Sequence, residues 1–559
     1  MSGYRVRALF DRRAPMRDGV ELSTDVYLPA TDNPAPTVVV RTPYGNHVED
    51  GVIARALEFA AAGYVCVLQD VRGRFDSAGE WYPFKNEAAD GKDTLDWVAE
   101  QSWCNGRVGM SGGSYLGIVQ WAAAMEGPAR LDCIAPRVAP RDLYAGIYYN
   151  QGALNYYTAL GWNTMNNAAG QQPVDMYDWD RYFRVLPLQE VEDAGGKSMP
   201  HLRDLIRHPS RDTYWDVPGY TVDPQRVTVP TLMYSGWYDI FVKGTFENFM
   251  EMRARGGSPE ARKPRLVCGP WIHQLNVSTE VGDVEFGPGS TFDLDGLELR
   301  WMDRWLKDER NGVEHEAPLL LYIMGGGGWR EEHEWPLART DWQKWYLHSD
   351  GDAPTCHGDG LLSVEAPGDE PVDCFTYDPD SPVPTIGGNT CCWPEIVPWG
   401  PMDQRPVEER PDVLCYTSPP LDADMEVTGP IKVTLFASSS APDTDFTAKL
   451  VDVYPFGCAV NIVDGIVRAR YREGPTDPSP IEPGRIYEYK IDLGPTANVL
   501  RRGHRIRLEV SSSNFPHYDR NPNTGHEFGK DAQVRVAEQM VLHSDAYRSH
   551  VVLPVVRVP

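Results

Sequence analysis

The residues best suited to covalent chemistry lie in a turn of small side chains around Ser114. Residues 107–117 read RVGMSGGSYLG, which predicts a buried strand, a tight turn at Ser114 and a helix that starts at Tyr115. Such a turn lifts a serine hydroxyl above a sheet, and the helix N-terminus beside it favours negative charge. The turn departs from the G-x-S-x-G pattern because position 116 is Leu. By itself, a glycine-rich turn of this kind fits either a nucleophile or a phosphate-binding site.

A serine hydroxyl needs a general base, and the base needs a carboxylate that orients it. In a parallel sheet with the nucleophile after one strand, the carboxylate and then the histidine follow later strands. The apolar run 229–234 is followed by SGWYD, which ends at Asp239, and the run 265–268 is followed by GPWIH, which ends at His273. The remaining histidines lie outside these positions. Ser114, Asp239 and His273 are therefore the predicted catalytic residues of an acyl transfer.

Two hydrogen-bond donors must face the negative oxygen that forms in acyl transfer. The backbone N–H of Tyr115 is one candidate, because it directly follows the nucleophile. The second donor usually comes from the loop after an early strand, which here reads RTPYG over residues 41–45. The phenolic O–H of Tyr44 fits this role, and a packing tyrosine held between Pro and Gly fits the same spacing equally well.

The elements that must position these residues follow from the hydrophobic pattern. Short apolar runs at 38–40 and 65–68 alternate with helical patterns at 51–62 and 86–101, which predicts a mostly parallel sheet covered by helices. The alternation stops near residue 140 and resumes at residue 229. From about residue 343, Gly and Pro are frequent and short alternating strands follow, which favours an all-β sandwich or jelly roll.

These patterns predict an α/β domain with an insertion that contains helical patches, followed by an all-β sandwich or jelly-roll domain. The expected bounds are residues 1–140 for the first part of the α/β domain, 141–226 for the insertion, 227–342 for the second part and 343–559 for the C-terminal β domain. A chain of 559 residues needs more than one core, which agrees with this division.

Charge and composition exclude several classes of function. The formal net charge is −27 and no long Lys/Arg run occurs, which excludes a nucleic-acid or anionic-membrane partner. No signal-peptide core and no apolar stretch of membrane-spanning length occurs, so a cytoplasmic location is expected. The ten cysteines form no C-x-x-C pair, and the adjacent Cys391 and Cys392 are expected to stay unbridged in a reducing compartment.

Several motifs in order resemble the cocaine-esterase-like hydrolases, which belong with the X-Pro dipeptidyl-peptidase-like hydrolases and the α-amino-acid ester hydrolases. The matching stretches are PYG (43–45), QDVRGR (69–74), GGSYLG (112–117), SGWYD (235–239), GPWIH (269–273), DTDFTAKLVD (443–452) and SNFPHYDRNPNTG (513–525). The resemblance thus spans nearly the whole chain. It implies an α/β-hydrolase domain with an inserted helical cap and a C-terminal all-β jelly-roll domain. It also implies a triad of Ser114, Asp239 and His273, with Tyr44 as the side-chain donor to the oxyanion.

The resemblance also implies a substrate class. Acyl-pocket positions of the family match Tyr148, Trp162 and Phe241, although Tyr148 stands where a Trp is expected. Gly117 stands where the amino-acid ester hydrolases carry a carboxylate that binds an α-ammonium. The favoured hypothesis is hydrolysis of a small-molecule carboxylic ester with an aromatic or apolar acyl group, without cofactor or metal, by a homodimer.

Two rival hypotheses assign the chain a different function. The triad also fits amide hydrolysis by an X-Pro dipeptidyl-peptidase or a glutaryl side-chain acylase of β-lactams. Jelly rolls also serve as lectins, so the C-terminal β domain fits a carbohydrate-binding role.

Overall fold

The computed structural model describes residues 5–31 and 33–557. The chain begins with alternating strands and helices, as the apolar runs predict. These elements are β1 (Val6–Pro15), β2 (Glu21–Pro29), β3 (Ala35–Thr42), α1 (Asp50–Ala61), β4 (Val65–Asp70), α2 (Glu87–Ala99), β5 (Cys104–Gly113), α3 (Tyr115–Met125) and β6 (Cys133–Arg137). Every residue of β3 and β4 is buried, because helices cover both faces of the sheet at these strands.

The strand alternation then stops for almost a hundred residues, and short helices and loops take its place. A π-helical turn at Tyr144–Tyr148 leads into this insertion. Its elements are β7 (Tyr149–Asn150), β8 (Ala153–Leu154), α4 (Tyr156–Met165), α5 (Trp179–Phe183), α6 (Val191–Gly195) and α7 (Pro200–Arg207). We call this segment the cap, because its side chains cover the cavity described below.

The large sheet resumes after the cap. Its further elements are β9 (Leu232–Gly236), α8 (Val242–Arg255), β10 (Arg265–Gly269), the hairpin β11 (Glu280–Val281) and β12 (Val284–Glu285), α9 (Leu294–Leu306), β13 (Leu319–Ile323) and β14 (Gly328–Glu332). The ten strands follow the order β1-β2-β4-β3-β5-β6-β9-β10-β13-β14, and those from β4 to β13 are mutually parallel. The predicted α/β-hydrolase fold is confirmed, and β5, β9 and β10 end at the same edge of the sheet.

A separate all-β domain completes the chain, as the alternating strands predict. Its elements are β15 (Thr340–His348), β16 (Leu361–Ser363), β17 (Asp373–Tyr377), α10 (Arg405–Glu408), β18 (Leu414–Thr417), β19 (Met425–Ser439), β20 (Asp445–Val453), β21 (Ala459–Arg468), β22 (Tyr487–Leu500), β23 (Arg505–Ser511), β24 (Ala537–Ser544), β25 (Tyr547–Arg548) and β26 (His550–Val556). These twelve strands form one sheet assembly with its own apolar core. The predicted domain boundary between residues 342 and 343 lies inside strand β15. The other domain bounds and the jelly-roll connectivity stay predictions.

In the described ranges, no helix is both long and apolar enough to cross a membrane.

Candidate active site

Ser114 lies in a strained turn between β5 and α3. Its backbone has φ +59° and ψ −124°, a conformation that non-glycine residues rarely adopt. The turn is held because the Ser114 N–H donates to the carbonyl of Arg137 at the end of β6, over 3.0 Å. Its carbonyl accepts the N–H groups of Gly117 and Ile118, over 2.8 and 2.9 Å. Strain at a residue with reactive side-chain chemistry is typical of a nucleophile elbow.

The departure of Leu116 from the G-x-S-x-G pattern has a structural reason. A Cβ on Gly117 would lie 2.8 Å from the carbonyl oxygen of Arg137. The residue of α3 that packs closest to the end of β6 is therefore at position 117, one residue after the last glycine of the G-x-S-x-G pattern. On the other side of the turn, Gly112 has φ +132°, and a Cβ there would lie 2.5 Å from that of Leu116. Glycine is therefore required at both 112 and 117, whereas position 116 has room for a leucine.

Asp239 and His273 come together at the carboxyl ends of β9 and β10. The Nδ1 atom of His273 and Oδ1 of Asp239 are 2.8 Å apart, and the second carboxylate oxygen accepts a bond from the hydroxyl of Ser235 over 3.2 Å. Asp239 is fully buried, whereas His273 is half-buried. The ring of Phe241 meets the His273 ring edge-on, with centroids 5.4 Å apart. A carboxylate on Nδ1 orients the imidazole and leaves Nε2 free to act as a base.

Tyr44 lies near the start of the loop between β3 and α1. Its hydroxyl accepts a hydrogen bond from the indole N–H of Trp162 in the cap, over 3.2 Å, and Tyr44 and Ser114 line the same cavities. Burial raises the pKa of Tyr44 to about 12, so the phenol stays protonated at neutral pH. Because Trp162 donates to it, the Tyr44 proton is available for another acceptor in the site.

The helix that starts at Tyr115 is anchored through the Tyr115 side chain. The phenol donates to the buried carboxylate of Glu87 over 2.8 Å and accepts the backbone N–H of Phe84 over 3.0 Å. Arg41 neutralises Glu87 through an ion pair of 2.6 Å. This buried network fixes the first residue of α3, and with it the backbone N–H that follows Ser114.

Two cavities meet at these groups. The first, of about 360 Å³, is lined by Phe84, Tyr148, Trp162, Phe241, Trp393 and other apolar side chains, and we call it the aromatic cavity. The second, of about 440 Å³, has polar and charged residues in its lining, among them Arg55, Glu58, Arg137 and Asp295, and we call it the polar cavity. The residues common to both linings are Tyr44, Glu49, Ser114 and His273. Ser114 is therefore accessible from two sides.

The structure thus brings together every residue that the sequence places in the site. Tyr148, Trp162 and Phe241 all line the aromatic cavity, and Trp162 also stacks on the ring of Tyr115 at an interplanar angle of 8°.

The expectation for Cys391 and Cys392 was wrong. The two adjacent residues are joined by a disulfide, and both line the aromatic cavity beside Trp393. The pair belongs to the β domain, whose loop 389–393 reaches over the hydrolase domain. The Tyr157 hydroxyl of the cap donates to the Trp393 carbonyl over 2.7 Å, which fixes this loop against the cap.

Sequence reasoning also missed two polar side chains at the site. Asn389 donates from its amide to the carbonyls of Trp237 and Asp239, over 3.1 and 2.9 Å. Glu49 lies where the two cavities meet. Neither residue belongs to a short motif, and Asn389 is 150 residues from the loop that it holds.

Comparison with known proteins agrees with this geometry. Residues 18–275 match the family model of the X-Pro dipeptidyl-peptidase (S15 family), and residues 311–552 match that of the X-Pro dipeptidyl-peptidase C-terminal non-catalytic domain. A cocaine esterase from Rhodococcus is 39% identical to this chain over 97% of both proteins. The chain belongs to this family of serine hydrolases.

Solved structures share the whole architecture. An α-amino acid ester hydrolase superposes with a TM-score of 0.83 at 27% identity, over 99% of this chain and 97% of that one. An aminopeptidase from a marine sediment Thaumarchaeota archaeon superposes with a TM-score of 0.85 at 26% identity, over the same shares of the two chains. The family thus includes both ester and peptide hydrolases on one fold.

Proposed function

We propose that this protein hydrolyses carboxylic esters through an acyl-enzyme on Ser114. The observation that carries the proposal is the convergence of a strained serine, a carboxylate-bound histidine and a protonated tyrosine at the meeting point of two cavities. Its kinship with a cocaine esterase supports ester rather than peptide substrates.

The proposed reaction follows from the positions of these groups. His273 accepts the Ser114 proton as the serine oxygen attacks the carbonyl carbon, and Asp239 holds Nδ1 and stabilises the imidazolium that forms. The Tyr44 hydroxyl and the backbone N–H of Tyr115 donate to the oxyanion. His273 then protonates the leaving alcohol. A water activated by the same histidine attacks the acyl-enzyme and releases the acid.

The aromatic cavity supports an aromatic or apolar acyl group. Flat rings favour offset or edge-on contacts with other rings, which the indole of Trp162, the phenol of Tyr148 and the ring of Phe241 provide. The polar cavity on the other side of Ser114 is then left for the alcohol.

The first prediction concerns Ser114 itself. With a p-nitrophenyl ester, the wild-type protein should give turnover, and Ser114→Ala should reduce kcat by about 10⁴-fold or more, because the remaining groups have no nucleophile to activate. Stopped-flow release of nitrophenol measures both the burst and the steady state. Ser258→Ala is a matched control, because the Ser258 hydroxyl bonds only to backbone groups of Thr228 and Ala261, which do not line either cavity. Equal rates in the two variants would refute the assignment.

A second candidate function is amide hydrolysis, which the match to the X-Pro dipeptidyl-peptidase family model favours. Such peptidases must bind the ammonium of a peptide N-terminus, and a buried ammonium needs a carboxylate partner. Among the described residues that line the aromatic cavity, Glu49 is the single carboxylate, and it lies at the boundary with the polar cavity. Parallel assays with an X-Pro anilide, a glutaryl amide and a benzoyl ester separate the two functions, and we expect turnover of the benzoyl ester.

We also propose the cytoplasm as the compartment. Eight of the ten cysteines are free thiols in the structure, which supports a reducing environment, whereas the bridged Cys391–Cys392 pair does not.

A further inference from the structure

The disulfide between Cys391 and Cys392 borders the aromatic cavity. Both residues line this cavity together with Ser114, His273 and Trp393. Cys391 is buried, whereas Cys392 is half-buried. The pair therefore forms part of the wall that a bound acyl group would contact, and Cys392 is the more accessible of the two residues.

The loop that carries the pair is held on both sides by hydrogen bonds. On one side, the amide of Asn389 donates to two carbonyls of the loop after β9. On the other side, the N–H of Trp393 donates to the Tyr157 hydroxyl over 3.2 Å, and the Trp393 carbonyl accepts the proton of the same hydroxyl over 2.7 Å. Between these anchors, neither Cys391 nor Cys392 takes part in a hydrogen bond within the described part of the chain. The disulfide therefore supplies a restraint that hydrogen bonds do not provide.

Cys392 has a backbone conformation that a cysteine rarely adopts. Its φ is +86°, in the left-handed region that favours glycine. Such a conformation persists only where the surrounding structure enforces it. The bond from Cys392 to its neighbour is a restraint of this kind, because the ring that it closes contains the peptide between the two residues. If the bond is opened, we expect Cys392 to leave this region and the wall of the cavity to change its shape.

The chemistry of the pair differs from that of the other cysteines, which are free thiols. Burial raises the pKa of Cys133 and Cys268, which keeps these thiols protonated and unreactive. A disulfide instead reacts by exchange. The thiolate of a small thiol attacks one sulfur, forms a mixed disulfide and releases the other cysteine, and a second small thiol then displaces the first. The protein gains two hydrogen atoms, the two small thiols become one small disulfide, and the reverse exchange restores the bridge.

We propose that Cys391 and Cys392 are a reversible redox site that sets the shape of the aromatic cavity. Its reaction partners are thiols and disulfides of low molecular weight, which reach Cys392 through the cavity. The bridged form holds the wall in place for an aromatic acyl group, and the reduced form loosens that wall. This inference goes beyond the proposed esterase function and rests on it only for its kinetic consequence.

Labelling of the folded protein tests the redox chemistry without any substrate. The protein is treated with reduced or with oxidised glutathione, and free thiols are then blocked with iodoacetamide. Peptide mass spectrometry should show Cys391 and Cys392 both labelled after reduced glutathione and both unlabelled after oxidised glutathione. A pair that stays bridged in reduced glutathione, or that oxidised glutathione does not close, would overturn the inference.

Two esters with the same leaving group test the effect on the cavity. p-Nitrophenyl benzoate places a ring in the aromatic cavity, whereas p-nitrophenyl acetate places only a methyl group there. Once the small thiol has been removed, the reduced protein should show a lower ratio of kcat/KM values, benzoate over acetate. We expect a fall of about three- to tenfold, because a loosened wall must be ordered again around the ring. The loss should appear mainly as a higher KM for the benzoate, and oxidised glutathione should restore the ratio.

Serine substitutions keep the pair permanently open. Cys391→Ser and Cys392→Ser should each give the ratio of the reduced wild-type protein and should not respond to glutathione. Cys374→Ser is the matched control, because Cys374 is an exposed free thiol of β17 that lines neither cavity, and it should keep the wild-type response. The comparison of reduced and oxidised wild-type protein needs no substitution, so it stands even if a serine variant fails to fold.

Three kinetic outcomes would overturn the inference. An unaltered ratio in the reduced protein would show that the bridge is purely structural. An equal loss of kcat with both esters would place the effect at the Asp239 turn, through Asn389, rather than at the cavity wall. A response that persists in Cys391→Ser would place it at another thiol. If the wild-type protein hydrolyses neither ester, the proposed esterase function fails, whereas the labelling still decides whether the pair is a redox site.

Discussion

The contribution of single residues is clearest at Tyr44. Its hydroxyl accepts the Trp162 indole N–H over 3.2 Å, which leaves its own proton for the oxyanion that we propose forms at Ser114. Tyr44→Phe keeps the ring and removes one of the two donors. We expect kcat to fall by about 10²–10³-fold with little change in KM, because this bond strengthens in the transition state. Steady-state kinetics with a nitrophenyl ester measures both constants.

A second substitution separates the effect of the hydrogen bond to the Tyr44 hydroxyl from the effect of aromatic packing. Trp162→Phe retains an aromatic side chain in the cavity but removes the donor to the Tyr44 hydroxyl. It should reduce kcat less than Tyr44→Phe does, since the phenol proton is still present. If Tyr44→Phe raises KM and leaves kcat unaltered, Tyr44 is a packing residue, which is the alternative that the sequence left open.

At the same scale, the sequence predicts reactive residues better than supporting ones. Ser114, Asp239 and His273 are recognisable because each follows a strand, and the carboxyl ends of parallel strands share one edge of the sheet. Glu49 and Asn389 have no such signature. Their roles depend on which distant segments come into contact, and that is decided by the packing of the cap and the β domain.

At the scale of elements, hydrogen bonds from Arg74 connect the loop that carries Tyr44 to the cap. The guanidinium is fully buried and donates to the Pro43 carbonyl over 2.6 Å, to Oδ1 of Asn166 over 3.1 Å and to the carbonyl of Ala168. No carboxylate in the described part of the chain lies within 4.0 Å of it, and burial lowers its pKa to about 10. Such a cation is costly to bury, so its bonds must hold these segments in place.

We therefore expect Arg74→Met to disturb catalysis through Tyr44. Without the hydrogen bond to the Pro43 carbonyl, the phenol of Tyr44 is no longer held in position, and kcat should fall by roughly ten- to a hundredfold. Arg74→Lys should recover part of this loss, because it keeps the charge but cannot reach all the carbonyls. The decisive measurement repeats Arg74→Met in the Tyr44→Phe background, where the further loss should disappear. An equal loss in both backgrounds would show that Arg74 does not act through Tyr44.

At the scale of the whole molecule, the sequence predicts the sheet domain, the cap and the β domain separately, but not the contacts between them. Apolar runs predicted the buried strands β3 and β4, and alternating runs predicted the C-terminal strands, because each pattern reports the faces that a strand buries. The cap was located by the interruption of the strand alternation between residues 140 and 229. The reach of the loop of Cys391 and Cys392 into the aromatic cavity is a contact between domains, for which no local pattern exists.

The β domain takes part in the active site through Asn389. Its amide donates to the carbonyls of Trp237 and Asp239, which flank the turn after β9. Asn389→Ala leaves two carbonyls without these donors and should lower the free energy of unfolding by about 1–3 kcal/mol. Because Asp239 orients His273, a shift of this turn should also lower kcat by about tenfold or more. Denaturant titration and steady-state kinetics measure the two effects.

A buried amide elsewhere in the same domain shows whether the kinetic effect is specific. Gln539 is fully buried, and its bonds to Thr444 and Ser512 stay inside the β domain. Gln539→Ala should lower the free energy of unfolding by a similar amount without altering kcat at temperatures where the protein stays folded. If both variants reduce kcat equally, the β domain affects catalysis only through its stability. If Asn389→Ala alone does so, the domain holds the catalytic carboxylate in place, and the two domains form one functional unit.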